Sequence, residues 1–551
     1  MEHRIVTNNG SAPRYITDKA VAALLFTASA AVVVYQNSRL AILWDVSYVL
    51  ENATRIAAGD VPYRDFPFPY PPLTFAIQAA IIRLFGRAYW HHIAYAALAC
   101  GAASALTYFI VRRIVARPLA AILCAPLGVL GIYCILPNPF YDPDCCLAIL
   151  AIIAVLLAMD SDSFLVGALC VLPLLIKQNI GLAFLAAALI LFAFQRMWRS
   201  VAGACIALAA ASAAVAIVFG IHNYVRWTIQ FAASRRLPPL TQLLSIYNDS
   251  DLWWWIGVVL VALFFRHARW LVVVPFLWSE YQFFFSDDPN EAEINFLRFW
   301  PLFLIVALWS AAACRRFRIV PILIIAAVHG AFLSQVTWGS TYGIWPLLII
   351  LIALTFHSLN QPLVPAIIVS VVLVHFGAWY VWNNKRLAYA RWDESALHAS
   401  TLAPLRGMHI RGEWLPEFEE LVAYADAHIG RNDVVLCMPG EDLFYFTTGR
   451  RPRVPVLMFD QTVNPYSPAE IAASNAQWVI VKRRLQIRGE PFPELNATLA
   501  LMRPQLVARL ANYDIYRLSA MRFNSSAISG VEARGTVTVS NRARIGSKTP
   551  R

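Results

Sequence analysis

Charged residues are scarce in this sequence, and their scarcity excludes an ordinary soluble protein. Lys, Arg, Asp and Glu make up only 14% of the 551 residues, whereas hydrophobic types make up 59%. Soluble domains usually carry about 25% charged residues. The composition therefore predicts a polytopic α-helical membrane protein.

The sequence also lacks paired cysteines. No CxxC pair occurs, and eight of the nine cysteines, from Cys100 to Cys314, lie in or beside apolar runs, with only Cys437 in the polar C-terminal third. This spacing indicates neither a structural zinc site nor a disulfide framework.

A site for signal-peptide cleavage is a third feature that is missing. The first apolar run, Ala20 to Val34, is followed by Tyr35, Gln36 and Asn37 instead of small residues. We therefore expect a retained signal anchor with a cytoplasmic N-terminus.

The net charge of +12 is explained by topology and does not indicate nucleic-acid binding. The basic residues form short clusters between apolar runs, as expected for loops on the cytoplasmic side. Counting apolar runs predicts about thirteen crossings. The basic clusters then fall on the inner side, and four acidic loops gather on the outer side; these loops are Asp45 onward, 137–144, 249–251 and 286–293.

The composition changes near residue 384. We predict a membrane domain over 20–383 and, over 384–519, a periplasmic α/β domain in which helices alternate with short apolar strands. Residues 1–19 are predicted to be cytoplasmic, and the tail 520–551 is predicted to be disordered. The predicted helices of the small domain are 416–429 and 468–475, and the predicted strands are 433–438, 454–459, 477–482 and 513–518.

The first outer loop, 37–90, begins with a predicted interfacial helix. Apolar residues recur at helical spacing over 46–57, while Glu51, Asn52 and Arg55 fall on other faces. Such a helix is expected to lie in the membrane interface with its polar face toward water.

The rest of that loop is rich in proline. Gly59 ends the helix, and the five prolines between Pro62 and Pro72 prevent regular structure up to Leu73. The run from Leu73 to Gly86 would reach only about 20 Å of a roughly 30 Å hydrocarbon core. We expect a second surface-lying or re-entrant helix there.

Two carboxylate groups are candidates for chemistry. Asp45 follows the first span directly, at the water boundary, and either acts in a site or caps a helix. Asp142 and Asp144 are separated only by Pro143 and could share a divalent cation, since such cations prefer oxygen ligands. A proline turn that leads into a helix with Asp at its N-cap explains the same residues.

Candidate cations lie at the same boundary. Lys177 interrupts an apolar stretch, and Arg298 opens a later span. Each could hold a lipid phosphate or could extend to lipid headgroups. Arg226, Arg235 and Arg236 form a basic outer loop that breaks the positive-inside pattern, which a site for an anionic ligand would explain.

The layout resembles the GT-C superfamily of integral-membrane glycosyltransferases. The resemblance is carried by the N-terminal anchor, the loop that starts with Asp45, the string GDVPYRDFPFPYPPL, the second outer acid, the Lys-Gln turn and the C-terminal outer domain. It is nearest to bacterial proteins of the protein O-mannosyltransferase and lipid A aminoarabinose transferase type. The layout covers residues 15 to about 385, and the motif itself covers 44–86.

This resemblance implies a function. Members of the family transfer a sugar from a polyprenyl-phosphate carrier to an acceptor on a glycan, lipid or protein, commonly with inversion, at the outer face of the inner membrane. It implies membrane lipids but no nucleic acid as partners, no organic cofactor, and Mg²⁺, Mn²⁺ or Ca²⁺ as the cation to test.

The resemblance also assigns roles to residues. Asp45 would be catalytic, and Asp142 and Asp144 would position the acceptor or a metal. The donor phosphate would be bound by Lys177, Arg298 and Arg64. The loop that contacts donor and acceptor would contribute Tyr63, Asp65 and Tyr70.

The sequence departs from the family at two positions. Many relatives have Lys before Pro-Pro-Leu where this chain has Tyr70, so another cation must hold the donor phosphate. Many also have a second acid after the first, whereas Val46 follows Asp45 here. A phosphate leaving group needs no general acid, so one carboxylate as base and one cation are sufficient.

Two other classes remain open from the sequence alone. A transporter also has many spans and few buried charges, but it usually places them near the bilayer midplane, whereas here they gather at the outer boundary. A non-catalytic protein that binds lipid or glycan during assembly is the second alternative, and the departures at Tyr70 and Val46 are compatible with it.

Overall fold

The computed structural model describes most of the chain. The described residues are 12–38, 43–159, 161–236, 241, 250–285, 319–333, 343–359, 363–383, 396–459, 464, 466–485 and 493–518. The predicted loop 286–293, Arg298, the domain boundary near 384 and the tail 520–551 lie outside these residues.

The membrane domain is helical in its described part. Its α-helices are α1 (Ala12–Asn37), α2 (Leu43–Ala57), α3 (Leu73–Phe85), α4 (Tyr89–Ile114), α5 (Arg117–Cys124), α6 (Leu127–Leu130), α7 (Tyr141–Met159), α8 (Phe164–Leu169), α9 (Gln178–Phe194), α10 (Trp198–Val218), α11 (Ile221–Val225), α12 (Ala232–Arg236), α13 (Ser250–Phe264), α14 (Val274–Phe285), α15 (Ile319–Phe332), α16 (Trp345–Ser358) and α17 (Leu363–Asn383). Two 3₁₀ segments, Leu172–Leu175 and Arg266–Val273, and a π-helical segment, Arg226–Phe231, complete the set.

The membrane assignment is confirmed by the length and composition of these helices. Among the described residues, four helices are long and apolar enough to cross a membrane: Thr17–Asn37 within α1, and α4, α7 and α10. Seven shorter apolar helices accompany them. The count of about thirteen crossings stays a prediction, because the span expected near residue 305 lies outside the described residues.

Small residues let some of these helices approach closely. A Cβ atom on Gly167 of α8 would lie 1.8 Å from the Ser200 carbonyl oxygen of α10, and one on Gly203 would lie 2.1 Å from the Phe164 carbonyl oxygen. Such contacts are the usual means by which membrane helices pack. They fix the α8 and α10 pair behind the turn that carries Lys177.

The two predicted helices of the first outer loop are present. At its C-terminus, α2 is capped by Arg83, whose guanidinium donates to the carbonyls of Ile56 at 2.8 Å and Ala57 at 3.0 Å. The helix α3 has only 13 residues, as expected, and ends at Gly86 with φ of +83°. The apolar face of α2 is buried as predicted.

The polar face of α2 is also buried, and this differs from the prediction. Glu51, Asn52 and Arg55 were expected to face water, but all three are buried. The C-terminal domain covers that face, so α2 lies between two packed layers and is not a helix on a free membrane surface.

The C-terminal domain is an α/β unit, as predicted. Its elements are β1 (Leu397–Ala399), β2 (His409–Arg411), α18 (Trp414–His428), β3 (Val435–Met438), α19 (Phe444–Thr448), α20 (Pro468–Ala472), β4 (Trp478–Lys482), α21 (Pro493–Met502), β5 (Gln505–Arg509) and β6 (Tyr513–Arg517), with a 3₁₀ turn at Ala403–Leu405. The four-stranded sheet has the order β3-β4-β6-β5, with β3 and β4 parallel and the other pairs antiparallel. Strands β1 and β2 form a separate antiparallel pair.

Both faces of the central strand β4 are covered. Trp478 and Ile480 of β4 belong to a core that is continuous with the membrane domain, whereas Val479 belongs to a second core with Ile471 and Leu495. This alternation follows the two-residue period of a strand. The continuous core shows that the two domains pack against each other.

One strand of this domain was predicted wrongly and three were missed. The segment 454–459 is not a strand: Pro455 has no amide hydrogen to give to a sheet, and the Val454 carbonyl accepts instead from Arg55 of α2 at 2.9 Å. The missed strands β1 and β2 have only three residues each, and β5 is mostly exposed, so none of them shows a clear apolar alternation.

Candidate active site

Side-chain hydrogen bonds join the first two outer loops. Asn37, at the end of α1, donates to the Pro137 carbonyl at 2.6 Å and accepts from the Tyr89 hydroxyl at 3.0 Å. Further along, the Thr74 hydroxyl donates to Asp144 at 2.7 Å. The two loops that carry the candidate acids are therefore neighbours, as the sequence predicted.

A buried lysine lies where these loops meet. The Lys177 ammonium is 3.4 Å from Asp142 Oδ1, and the two side chains are only 3% and 1% exposed. The same nitrogen lies 3.9 Å from the ring centre of Tyr141 and 5.0 Å from that of Tyr70. These two rings stack at 4.3 Å. We call Lys177, Asp142, Tyr70 and Tyr141 the lysine site.

The aromatic rings and the burial of the lysine site affect how strongly the Lys177 ammonium interacts with other charges. Aromatic faces attract a cation, and more so when water is excluded. In such surroundings a charge interacts with an anion more strongly than it would in water. The lysine site is therefore suited to an anionic group that can compete with Asp142 for the ammonium.

The turn that carries Lys177 is fixed by its next two residues. Gln178 donates to the carbonyls of Pro69 and Thr228, both at 3.0 Å, and Asn179 donates to the Gly330 carbonyl at 2.7 Å. The first of these bonds ties the proline-rich loop to α9. The Lys-Gln-Asn sequence thus positions one cation and two supporting amides.

Asp144 has a different set of partners from Asp142. Its Oδ1 accepts from the Tyr133 hydroxyl at 2.5 Å and the Tyr95 hydroxyl at 2.8 Å, and its Oδ2 accepts from Thr74. Asp144 thereby joins α3, α4 and α7. Asp144 is therefore a structural link between these three helices.

The helix explains why the two acids diverge. Both lie in the first turn of α7, where residues two positions apart point about 200° from each other. This arrangement does not fit a cation shared by Asp142 and Asp144, and the described residues hold no group of three or more His, Cys, Asp or Glu side chains suited to a metal. A divalent cation stays a prediction, and no step below depends on it.

Asp45 lies in the first turn of α2 and is partly exposed. One turn further along the helix, the Tyr48 ring packs edge-on against Tyr70 at 5.7 Å and against Phe75 at 5.8 Å. Because residues three apart share a helix face, Asp45 lies on the side of α2 that faces the lysine site. Its catalytic role stays a prediction.

The remaining predicted loop residues divide into two groups. Tyr63 is buried, and its hydroxyl donates to the Tyr70 carbonyl at 2.6 Å, so it supports the lysine site from behind. Arg64 and Asp65 form an exposed ion pair at 2.8 Å; the hydrogen bond from Arg64 lowers the pKa of Asp65. The Arg64 side chain is exposed to solvent, whereas that of Lys177 is buried.

Sequence reasoning missed several residues of this region. Tyr141 precedes Asp142 directly, and the chain motif Phe140-Tyr141-Asp142 was the available signal. Tyr95 and Tyr133, in contrast, lie within apolar runs, and nothing local distinguishes them. Their function becomes visible only when Asp144 is seen between them.

A cleft opens beside α2, between the two domains. It encloses about 30 Å³. Among the described residues, none with a charged side chain lines it; the lining consists of Tyr48, Asn52, Phe66, Pro67, Pro455, Val456, Leu457, Met458 and Asn464. Aromatic rings and amides without charge are suited to a neutral polar ligand.

The described residues define a helical membrane protein with a small C-terminal α/β domain and a buried lysine site where the loops 37–90 and 137–144 meet. In fold, the chain is similar to ArnT from Cupriavidus metallidurans bound to undecaprenyl phosphate, with 12% identity, a TM-score of 0.45, and coverage of 92% of this chain and 98% of that one. It is likewise similar to the apo state of that protein, with 14% identity, a TM-score of 0.41 and coverage of 92% and 97%. No family model and no curated protein matches the chain.

Proposed function

We propose that this protein is a membrane glycosyltransferase that transfers a sugar from a polyprenyl-phosphate carrier to an acceptor hydroxyl on the outer face of the inner membrane. The observation that carries the proposal is the lysine site. Lys177 is buried beside Asp142 and two stacked tyrosine rings, within reach of a lipid phosphate but protected from bulk water.

The proposed reaction divides the chemistry between two groups. The acceptor oxygen attacks the anomeric carbon while its proton passes to the Asp45 carboxylate. The bond between that carbon and the phosphate oxygen breaks, and its electron pair leaves with the polyprenyl phosphate. Attack opposite to the leaving group inverts the anomeric centre. Lys177 stabilises the negative charge that develops on the departing phosphate.

The neighbouring residues support these two roles. Tyr70 and Tyr141 exclude water from one side of the phosphate, and Asp142 holds the ammonium in place before the donor enters. The uncharged cleft along Tyr48 and Asn52 is the proposed route for a neutral part of the acceptor. The transfer assay identifies which sugar is moved and which acceptor receives it.

The proposal is tested by transfer of a labelled sugar from polyprenyl-phosphate donors, comparing wild type with Asp45→Asn. General-base catalysis is typically worth 10²–10⁴-fold in rate, so the variant is expected to lose about a thousandfold while remaining folded. Glu413→Gln is the matched control, because Glu413 is an exposed acid of the C-terminal domain. Full activity in Asp45→Asn, or an inactive wild type with every donor, would overturn the proposal.

A further inference from the structure

The polar face of α2 is bound by the C-terminal domain. Ser47, Glu51 and Arg55 recur every four residues, so they form one stripe along the helix. All three are buried. Such burial is costly for polar groups unless each finds a partner, and each of the three does.

The partners belong to one segment of the C-terminal domain, residues 440–454. Both carboxylate oxygens of Glu51 accept backbone N–H groups, one from Tyr445 at 2.9 Å and one from Phe446 at 3.0 Å. The Ser47 hydroxyl donates to the Gly440 carbonyl at 2.9 Å. Arg55 donates to the carbonyl of Val454, at the far end of the segment. We call this stripe and its partners the docking face.

Further contacts hold the same segment from its other side. The Arg87 guanidinium donates to the Phe446 carbonyl at 2.7 Å, and the His92 ring packs edge-on against the Phe446 ring at 5.6 Å. Asp60 accepts from Arg55 at 2.8 Å and pairs with Arg451. The segment is therefore fixed between α2 and the start of α4.

Asp45 points away from the docking face. At about 100° per residue, its side chain is about 160° from Ser47 and about 120° from Glu51, and Tyr48 lies between Asp45 and Glu51. The C-terminal domain can thus hold the helix without covering Asp45.

We propose that the C-terminal domain positions the catalytic helix, and that Glu51 is the positioning residue that does so. The inference rests on the proposed function of Asp45. Glu51 touches neither donor nor acceptor; it acts by fixing the orientation of α2 relative to the lysine site. Small misplacements of a reacting group can cost about a hundredfold in rate, so the contact has a kinetic consequence.

The test compares Glu51→Leu and Glu51→Gln with wild type in the full chain. Glu51→Leu is expected to lower kcat per folded molecule by about 10- to 100-fold and to leave KM for the donor within about twofold, because Lys177 is not on α2. Glu51→Gln keeps one acceptor oxygen and is expected to recover part of the rate. Glu413→Gln serves again as the control.

Hydrogen exchange at residues 443–448 gives a second readout that does not need activity. In Glu51→Leu the amides of Tyr445 and Phe446 lose their acceptor and are expected to exchange faster. Faster exchange with unchanged kcat would refute the positioning role and leave the proposed function intact. Unchanged exchange would refute the docking face itself, whether or not the wild type transfers sugar.

Discussion

The pairing of Lys177 with Asp142 makes a quantitative prediction. We consider three variants, Asp142→Asn, Lys177→Met and the double variant. Removing one partner of a buried ion pair typically costs about 3–5 kcal/mol, because the other charge stays buried without it. Each single variant is therefore expected to lose about that much in the free energy of unfolding.

The double variant is expected to lose no more than a single one. It leaves no buried charge at this position, and Met fills space beside Tyr70 and Tyr141 with favourable sulfur contacts. Additive behaviour would give about 6–10 kcal/mol from the same two changes. The expected coupling energy is thus at least about 3 kcal/mol, at the upper end for side chains in contact.

The assay is reversible unfolding of purified protein in mixed micelles with increasing denaturing detergent, together with titration of polyprenyl phosphate. Donor binding is expected to weaken in both variants that lack Lys177. In Asp142→Asn it is expected to be retained or tightened, because the ammonium then has no competing carboxylate. Additive losses of stability, or unchanged donor binding by Lys177→Met, would refute the assignment of this pair.

Three further predictions concern the supports of the site. Thr74→Val removes one of the three hydroxyl groups that hydrogen-bond to Asp144 and is expected to cost about 1–3 kcal/mol of unfolding free energy. Binding of the polyprenyl-phosphate sugar is expected to be unchanged. A loss of that binding would contradict the structural role of Asp144. Lys482→Met removes the cation that pairs with both Glu441 and Asp442, two buried acids, and is expected to cost about 3 kcal/mol or more, measured by thermal unfolding. Burial raises the pKa of Glu51 well above its ordinary value, although hydrogen bonds from two backbone amides oppose this shift. The contribution of Glu51 to the free energy of unfolding is therefore complete below the ordinary glutamate pKa. It is lost as pH rises toward the pKa of Glu51 in the folded protein. Unfolding measured over a pH series is expected to show this loss in wild type but not in Glu51→Gln, and equal pH dependence in both would contradict it.

The class of protein and the outline of the first loop could be predicted from the sequence. Apolar periodicity and a proline run are local signals, and both α2 and α3 follow from them. The proximity of the two acidic loops also followed, because the positive-inside pattern places them on one side of the membrane. These inferences needed no knowledge of tertiary contacts.

The different partners of Asp142 and Asp144 could not be predicted from the sequence. Read as an extended proline turn, the two acids can share one ligand. Once α7 begins at Tyr141, the helical rotation sends them to opposite partners. The decisive fact is the helix start, which is the least certain feature of a sequence-based assignment.

The burial of the polar face of α2 was beyond sequence reasoning for another reason. Glu51 finds its partner 394 residues further along the chain, and that partner is the backbone, which leaves no side-chain signal. An amphipathic pattern shows which face is polar. It does not show whether water or another domain covers that face.

The charge balance of the lysine site connects these observations to the proposed reaction. In the structure, Lys177 and Asp142 neutralise each other, so an arriving phosphate finds a site with no net charge. An anion is held strongly in low dielectric only if a cation is free to meet it. Binding of the donor must therefore weaken the bond between Lys177 and Asp142, and the two anions compete for one ammonium.

After transfer, the departing phosphate carries more negative charge than the donor did, but it meets the same competing carboxylate. Asp142 thus opposes product retention as well as donor binding. For this reason Asp142→Asn is expected to tighten polyprenyl phosphate and slow its release, so that turnover falls while affinity rises. An equal fall in affinity and turnover would show that the two anions do not compete.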